Sequence, residues 1–217
     1  DRKIPVLYGI DYQTHDIPHY RLSYAEDYAN CKKFFTSLKL TDYQLQAVVC
    51  DENVNIYKAA QYAYPNVAIQ LCHVHFLRNM RALLDPAMNP KHSLFFQLLC
   101  RLLVTKRLKE DFEKKAAVLY SQFVDEPVCS GILIELARKQ TLLQGYLNHK
   151  GTPTTTNLIE SFNSHLEARL GPLKALNHLS MQTCGSMASF FGEERSHLLT
   201  ARENSNVWTE KHHFHKH

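Results

Sequence analysis

The chain has 217 residues, 45% hydrophobic and 21% charged, with a net charge of +4. That balance fits one large domain, or a domain with an insertion, and excludes wholesale disorder. No apolar run approaches the ~18–20 residues of a membrane span, and so mild a basicity permits nucleic-acid binding without requiring it.

The first third reads as alternating strands and helices. Residues Lys3–Thr14 (KIPVLYGIDYQT) carry a β-forming apolar run, with no leader pattern before it. The absent Met leaves room for preceding residues. His15-Asp16-Ile17-Pro18 is a turn, and His19–Ala25 alternates in strand fashion, so an antiparallel hairpin is expected. Glu26–Leu40 reads as a helix. Leu45–Cys50 is a short apolar run of the kind buried on both faces, and it ends in Asp51. A helix over Glu52–Tyr64 stops at Pro65-Asn66, and Val67–Cys72 is another strand. The order β-β-α-β-α-β is α/β.

Strand signals then vanish. Helices are expected over His73–Leu84, Ser93–Val104, Arg107–Phe123 and Cys129–Leu143. Asn148–Thr156 is a polar loop, Asn157–Leu170 a helix broken by Gly171-Pro172, and a last helix falls within Leu176–Leu199. The tail from Asn204 to His217 is polar and is expected to be disordered. Its histidines, His212, His213, His215 and His217, offer at most incidental metal binding. The six cysteines are scattered without a CxxC pair, which favours a reducing compartment over a disulfide framework.

Two carboxylates stand out. Asp51 ends a buried strand, where α/β sheets collect ligands, although a strand-terminal Asp also serves as a helix cap. Glu160 lies early in a helix after three threonines. Asn157, Glu160 and Asn163 recur every third residue, so they share a polar face that suits a hydrated divalent cation. A solvated face or a capping contact near Thr156 is the plainer alternative. Cys72 and His75 have zinc-compatible spacing, but a single CxxH supplies two ligands and a structural site needs four, so zinc is not expected.

Taken together, these segments resemble DDE transposases of the Mutator-like group. The first matching block is AVVCDENVNIYKAAQYAYPNVAIQLCHVHFLRNM, Ala47–Met80, with Asp51, Tyr64-Pro65, Gln70-x-Cys72-x-x-His75 and Arg78-Asn79 in family order. The second is TTTNLIESFNSHLEARL, Thr154–Leu170, carrying Glu160. The resemblance implies an RNase H-like core, a mixed sheet with flanking helices, interrupted by a large α-helical insertion. It divides the chain into core residues 1–75, an insertion over 76–150, core helices with the catalytic Glu over 151–203, and the tail 204–217. It implies Asp51 and Glu160 as catalytic, metal-binding acids, and Cys72, His75, Asn157 and Asn163 as family-motif residues. The family's first Asp sits on a strand not evident here. It is expected upstream of Asp1, with Asp11 the in-chain fallback.

The implied chemistry is cleavage and strand transfer of DNA with two Mg²⁺ (or Mn²⁺) ions. The implied partners are transposon ends, target DNA and further copies of the chain, with no membrane, in an intracellular setting. Phosphate contacts are expected from Arg78, Arg81, Arg169 and Lys174. The run from Lys106 through Arg107 to Lys114 and Lys115 is interspersed with acids and reads better as a solvated face. Three other readings stay open: an inactive DNA-binding remnant, a different RNase H-like nuclease, and a helical interaction domain with Asp51 and Glu160 far apart.

Overall fold

The structure is a computed structural model that describes residues 6–170 and 207–212, with side chains described over 6–165. The last helix expected within Leu176–Leu199, with Lys174 and Cys184, lies outside the described residues, and so does the side chain of Arg169.

The expected hairpin forms from β1 (Val6–Asp11) and β2 (Tyr20–Leu22), antiparallel with Val6 opposite Leu22. Helix α1 (Tyr28–Lys39) follows, capped by the Asp27 side chain. Strand β3 (Ala47–Cys50), helix α2 (Val54–Ala63) and strand β4 (Ala68–Leu71) complete a parallel pair, Ala47 level with Ala68. Every residue of β3 and β4 is buried, which is why both read as unbroken apolar runs.

A fifth strand, β5 (Val207–His212), lies between β1 and β3, giving the order β2-β1-β5-β3-β4. It runs antiparallel to β1 and parallel to β3. Within the stretch 204–217, expected as a disordered tail, residues 207–212 thus form a strand, and the rest lies outside the described residues. Polar composition hid the strand, because a central strand is held by backbone hydrogen bonds on both edges, and these do not depend on side-chain type.

Between β4 and the last described helix come α3 (His73–Leu83), α4 (Pro90–Val104), α5 (Lys109–Phe123) and α6 (Pro127–Leu143), then a 3₁₀ turn at Gly145–Leu147. Helix α7 spans Asn157–Leu170. Asn89 caps α4 just ahead of Pro90, a residue pre-set for the first helical turn.

The sheet is covered on both faces. Leu7, Val48, Cys50, Ile69 and Leu71 face α1 and α2, whose Phe34, Phe35, Ile56 and Ala60 are fully buried against them. This core continues without a break into Phe76, Phe95, Leu99, Phe112 and Leu136 of α3 to α6. The helical segment is thus bonded to the sheet by shared apolar burial. On the other face Val6, Tyr8 and Ile10 pack with Ile159 of α7.

Two polar clips fix where α6 ends. The buried Gln70 amide donates to Leu143 O and accepts from the Tyr146 backbone N–H. Gly145 passes so close to β4 that a Cβ there would lie 1.9 Å from Ile69 O. His73 sets its ring between the carbonyls of Leu103 and Leu143, the C-terminal ends of α4 and α6. Burial pushes its pKa down, so the neutral ring donates to one carbonyl at a time.

A candidate metal and nucleic-acid site at the end of β3

Asp51 directly follows β3 and is half-buried. It does not cap α2. The capping oxygen there belongs to Asn53, which accepts from Asn55 N, while Asp51 Oδ1 accepts only a 3.3 Å contact from Asn53 N. Its neighbour Glu52 is tied to Lys139 of α6 and Asn79 of α3. Asp51 therefore stands where the sheet ends and the helical segment begins.

Cys72 directly follows β4, and its backbone N–H continues the ladder to Cys50 O at 2.7 Å. One helical turn later His75 projects from the start of α3. Thr154 O accepts from His73 N at 2.8 Å, which draws the loop ahead of α7 against the same strand end. The other anchor of α7 is at the sheet, where Ile159 is fully buried and Tyr8 donates to Asn163 Oδ1. Between these anchors Glu160 is brought to Cys72 and His75.

The Thr156 hydroxyl lies 3.3 Å from Cys72 Sγ, 3.4 Å from His75 Nδ1 and 2.8 Å from Glu160 Oε1. Glu160 Oε1 is also 3.6 Å from His75 Nε2. Burial favours the neutral Cys72 thiol, but hydrogen bonds from His75 and Thr156 outweigh it and hold the pKa below the usual thiol value. The hydrogen bond to Cys72 pushes His75 up, against burial, and the charges of Cys72, Glu160 and Asp51 add to it. Both carboxylates thus act on one imidazole.

A third acid enters that the sequence did not single out. Glu26, in the loop between β2 and α1, accepts from Asn53 Nδ2. Burial, with the charge of Asp51 adding, raises its pKa to about 7 against the Asn53 hydrogen bond. In sequence it looks like an ordinary acid ahead of a helix; only the fold places it by Asp51.

The remaining candidates divide. Asp11 is buried at the end of β1, where it accepts from Gln13 N at 2.8 Å, Thr14 N at 3.1 Å and the Tyr43 hydroxyl. Because β1 runs opposite to β5 and β3, this end of β1 is the end of the sheet away from Asp51. Asp11 thus holds the turn after β1, and the structure does not bring this fallback candidate to Asp51. Asn163 faces Tyr8 and Asn157 is exposed, so the three-residue polar stripe does not act as one face around Glu160. Glu160 instead accepts from Thr156 four residues earlier, as the plainer reading foresaw, and meets His75 as well.

Arg78 and Arg81 are exposed on α3. Arg78 lies three residues after His75, on the same side of the helix. Arg107 is committed to Leu102 O, Arg101 O and Asp111, and Lys115 pairs with Asp111. The α5 run is therefore a solvated, internally paired face. Among the described residues no helix is long and apolar enough to cross a membrane.

Compared with known families, residues 2–172 match the model described as transposase, Mutator family. No curated protein matches the chain.

Proposed function

The chain belongs to the Mutator family of transposases, and we propose that the end of β3 is its centre for metal-dependent cleavage and strand transfer of DNA. The observation that carries this reading is the convergence of two distant segments. Asp51 follows β3 and Cys72 follows the parallel β4 at the same level, and Glu160 on α7 reaches this strand end, 3.6 Å from His75. An interaction domain without chemistry would have no reason to gather them.

The residues present fit divalent cations. Burial raises the Glu26 pKa to about 7, with the Asp51 charge adding, so a second carboxyl group stands near Asp51. When bound, Mg²⁺ or Mn²⁺ would activate a water or 3′-hydroxyl and stabilise the leaving oxygen. The chain's own residues do the rest. Asp51 and Glu160 would hold the cations, and Glu26 would add a third carboxylate near Asp51. His75 orients Glu160, and Arg78 takes a DNA phosphate one turn away. An RNase H-like core is the fold reading that accompanies this. What supports it is the mixed sheet, with a hairpin on one edge, a parallel pair on the other and helices on both faces.

The test is strand transfer by the chain of a pre-cleaved transposon-end duplex into plasmid DNA, with Mg²⁺ or Mn²⁺. Asp51→Asn and Glu160→Gln should each abolish joining while the circular dichroism spectrum is unchanged. Joining at the wild-type rate in either variant removes that residue from the centre. Cleavage without joining in the wild type would favour the nuclease reading.

A further inference from the structure

Cys72, His75 and Glu160 present a sulfur, a ring nitrogen and a carboxylate oxygen that all lie within 4.8 Å of one another. These three atoms are electron-pair donors, and the Thr156 hydroxyl set among them has one proton to offer. Tetrahedral zinc, with bonds of about 2.0–2.3 Å, holds its ligand atoms about 3.3–3.8 Å apart. The present spacing is within about 1 Å of that arrangement.

The spacing in sequence also fits. Cys72 and His75 are one turn apart at the start of α3, and Glu160 comes from α7, a separate element. The sequence reading counted two ligands on one element and set zinc aside; the fold supplies the third. On one side the group is closed, with Cys72 fully buried and Thr156 1% exposed. On the other it is open, with the side chains of His75 and Glu160 16% and 27% exposed. A closed sulfur side and an open carboxylate side give an entry path and leave a fourth position for water.

We propose that Cys72, His75 and Glu160 form a mononuclear site for a thiophilic divalent cation of the zinc class, distinct from any Mg²⁺ that Asp51 would hold. Thiolate and imidazole donors select zinc over magnesium, whose preference is for oxygen ligands. Glu160 has two carboxylate oxygens, so it can serve this ion with one and a neighbouring cation with the other. The site does not depend on strand transfer and stands if that activity fails.

The experiment is a Co²⁺ titration of the metal-stripped chain. One equivalent of Co²⁺ should give near-ultraviolet thiolate-to-cobalt absorption and visible bands of tetrahedral cobalt, and one equivalent of Zn²⁺ should displace them. Cys72→Ser should lose the thiolate band. His75→Ala and Glu160→Gln should keep it with affinity lowered on the order of 100-fold. Asp51→Asn should leave the spectrum as in the wild type. X-ray absorption of the zinc-loaded wild type should show a single sulfur at about 2.3 Å, which tests the site without any variant. An all-nitrogen shell, as the tail histidines would give, overturns the proposal. So does a missing thiolate band in the wild type, or a full band in Cys72→Ser.

Discussion

The end of β3 and the segment α3 to α6 treat charge in opposite ways. In the helical segment most described ion pairs close within one turn: Arg107–Asp111, Lys115–Asp111, Lys109–Glu113 and Arg138–Glu135 are three or four residues apart, while His92–Glu126 and Lys139–Glu52 reach further. At the end of β3, Glu26, Asp51, His75 and Glu160 come from four separate parts of the chain, with Asp51 and Glu160 acting on His75 and Asp51 on Glu26. Local pairs are satisfied by helix geometry alone and give modest stability. The long-range cluster is held by the fold and leaves its chemistry unspent. This gathering of charge from distant segments is what the proposed centre rests on.

The sharpest way to break this comparison is to exchange effects between the regions. Asp51→Asn should lower strand transfer by about 10³-fold or more, with the urea unfolding midpoint unchanged. A comparable loss of stability would instead make Asp51 structural. Next in size is Phe95→Ala on α4, a fully buried ring packed edge-on against Phe123 at 5.2 Å. It should cost about 3–4 kcal/mol in urea unfolding and leave the cobalt spectrum of any folded protein intact. Gly145→Ala should cost about 2–3 kcal/mol, because its Cβ would meet the Ile69 backbone and only a shift of the 3₁₀ turn relieves that.

Glu26 gives a pH signature. Its folded pKa of about 7 lies above the ordinary 4.5, so between those values the folded chain keeps a proton that the unfolded chain has lost. Stability should therefore fall as pH rises from about 4.5 to about 7, and Glu26→Gln should flatten that slope in urea titrations. A steeper slope in the variant would contradict the placement beside Asp51. The smallest effect belongs to Lys109→Ala, which removes an exposed pair at 3.9 Å and should cost no more than about 0.5 kcal/mol. By contrast Arg78→Ala should lower the salt dependence of DNA binding by about one phosphate contact. Equal salt slopes in the two variants would erase the distinction between the regions.

Much of the fold was legible in local pattern. The hairpin, the two buried runs at 47–50 and 68–71 and the four helices after His73 follow from apolar periodicity, turn residues and caps, which act within a few residues. Asp51 and Glu160 were legible through their positions and the family blocks. Asp11 was ambiguous because an acid at a strand end looks the same whether it holds a turn or a ligand; in the fold its carboxylate accepts from the turn amides of Gln13 and Thr14. Asn163 misled because three-residue spacing puts it near the face of Glu160, yet a helix turns about 100° per residue, and Tyr8 takes it.

What the sequence determined by itself is therefore the hairpin, the two buried strands and the helices between Tyr28 and Leu170, since these rest on short-range periodicity, turns and caps. Three things were decided only by the tertiary structure. Strand β5 enters the middle of the sheet through backbone pairing that composition does not encode. Glu26 reaches Asp51 because the loop after the hairpin folds back on the start of α2. Glu160 meets Cys72 and His75 because α7 is pinned at Thr154 on one side and at Ile159 on the other. Each joins residues far apart in the chain, and such contacts are set by which apolar faces bury one another, a global property that no local window contains.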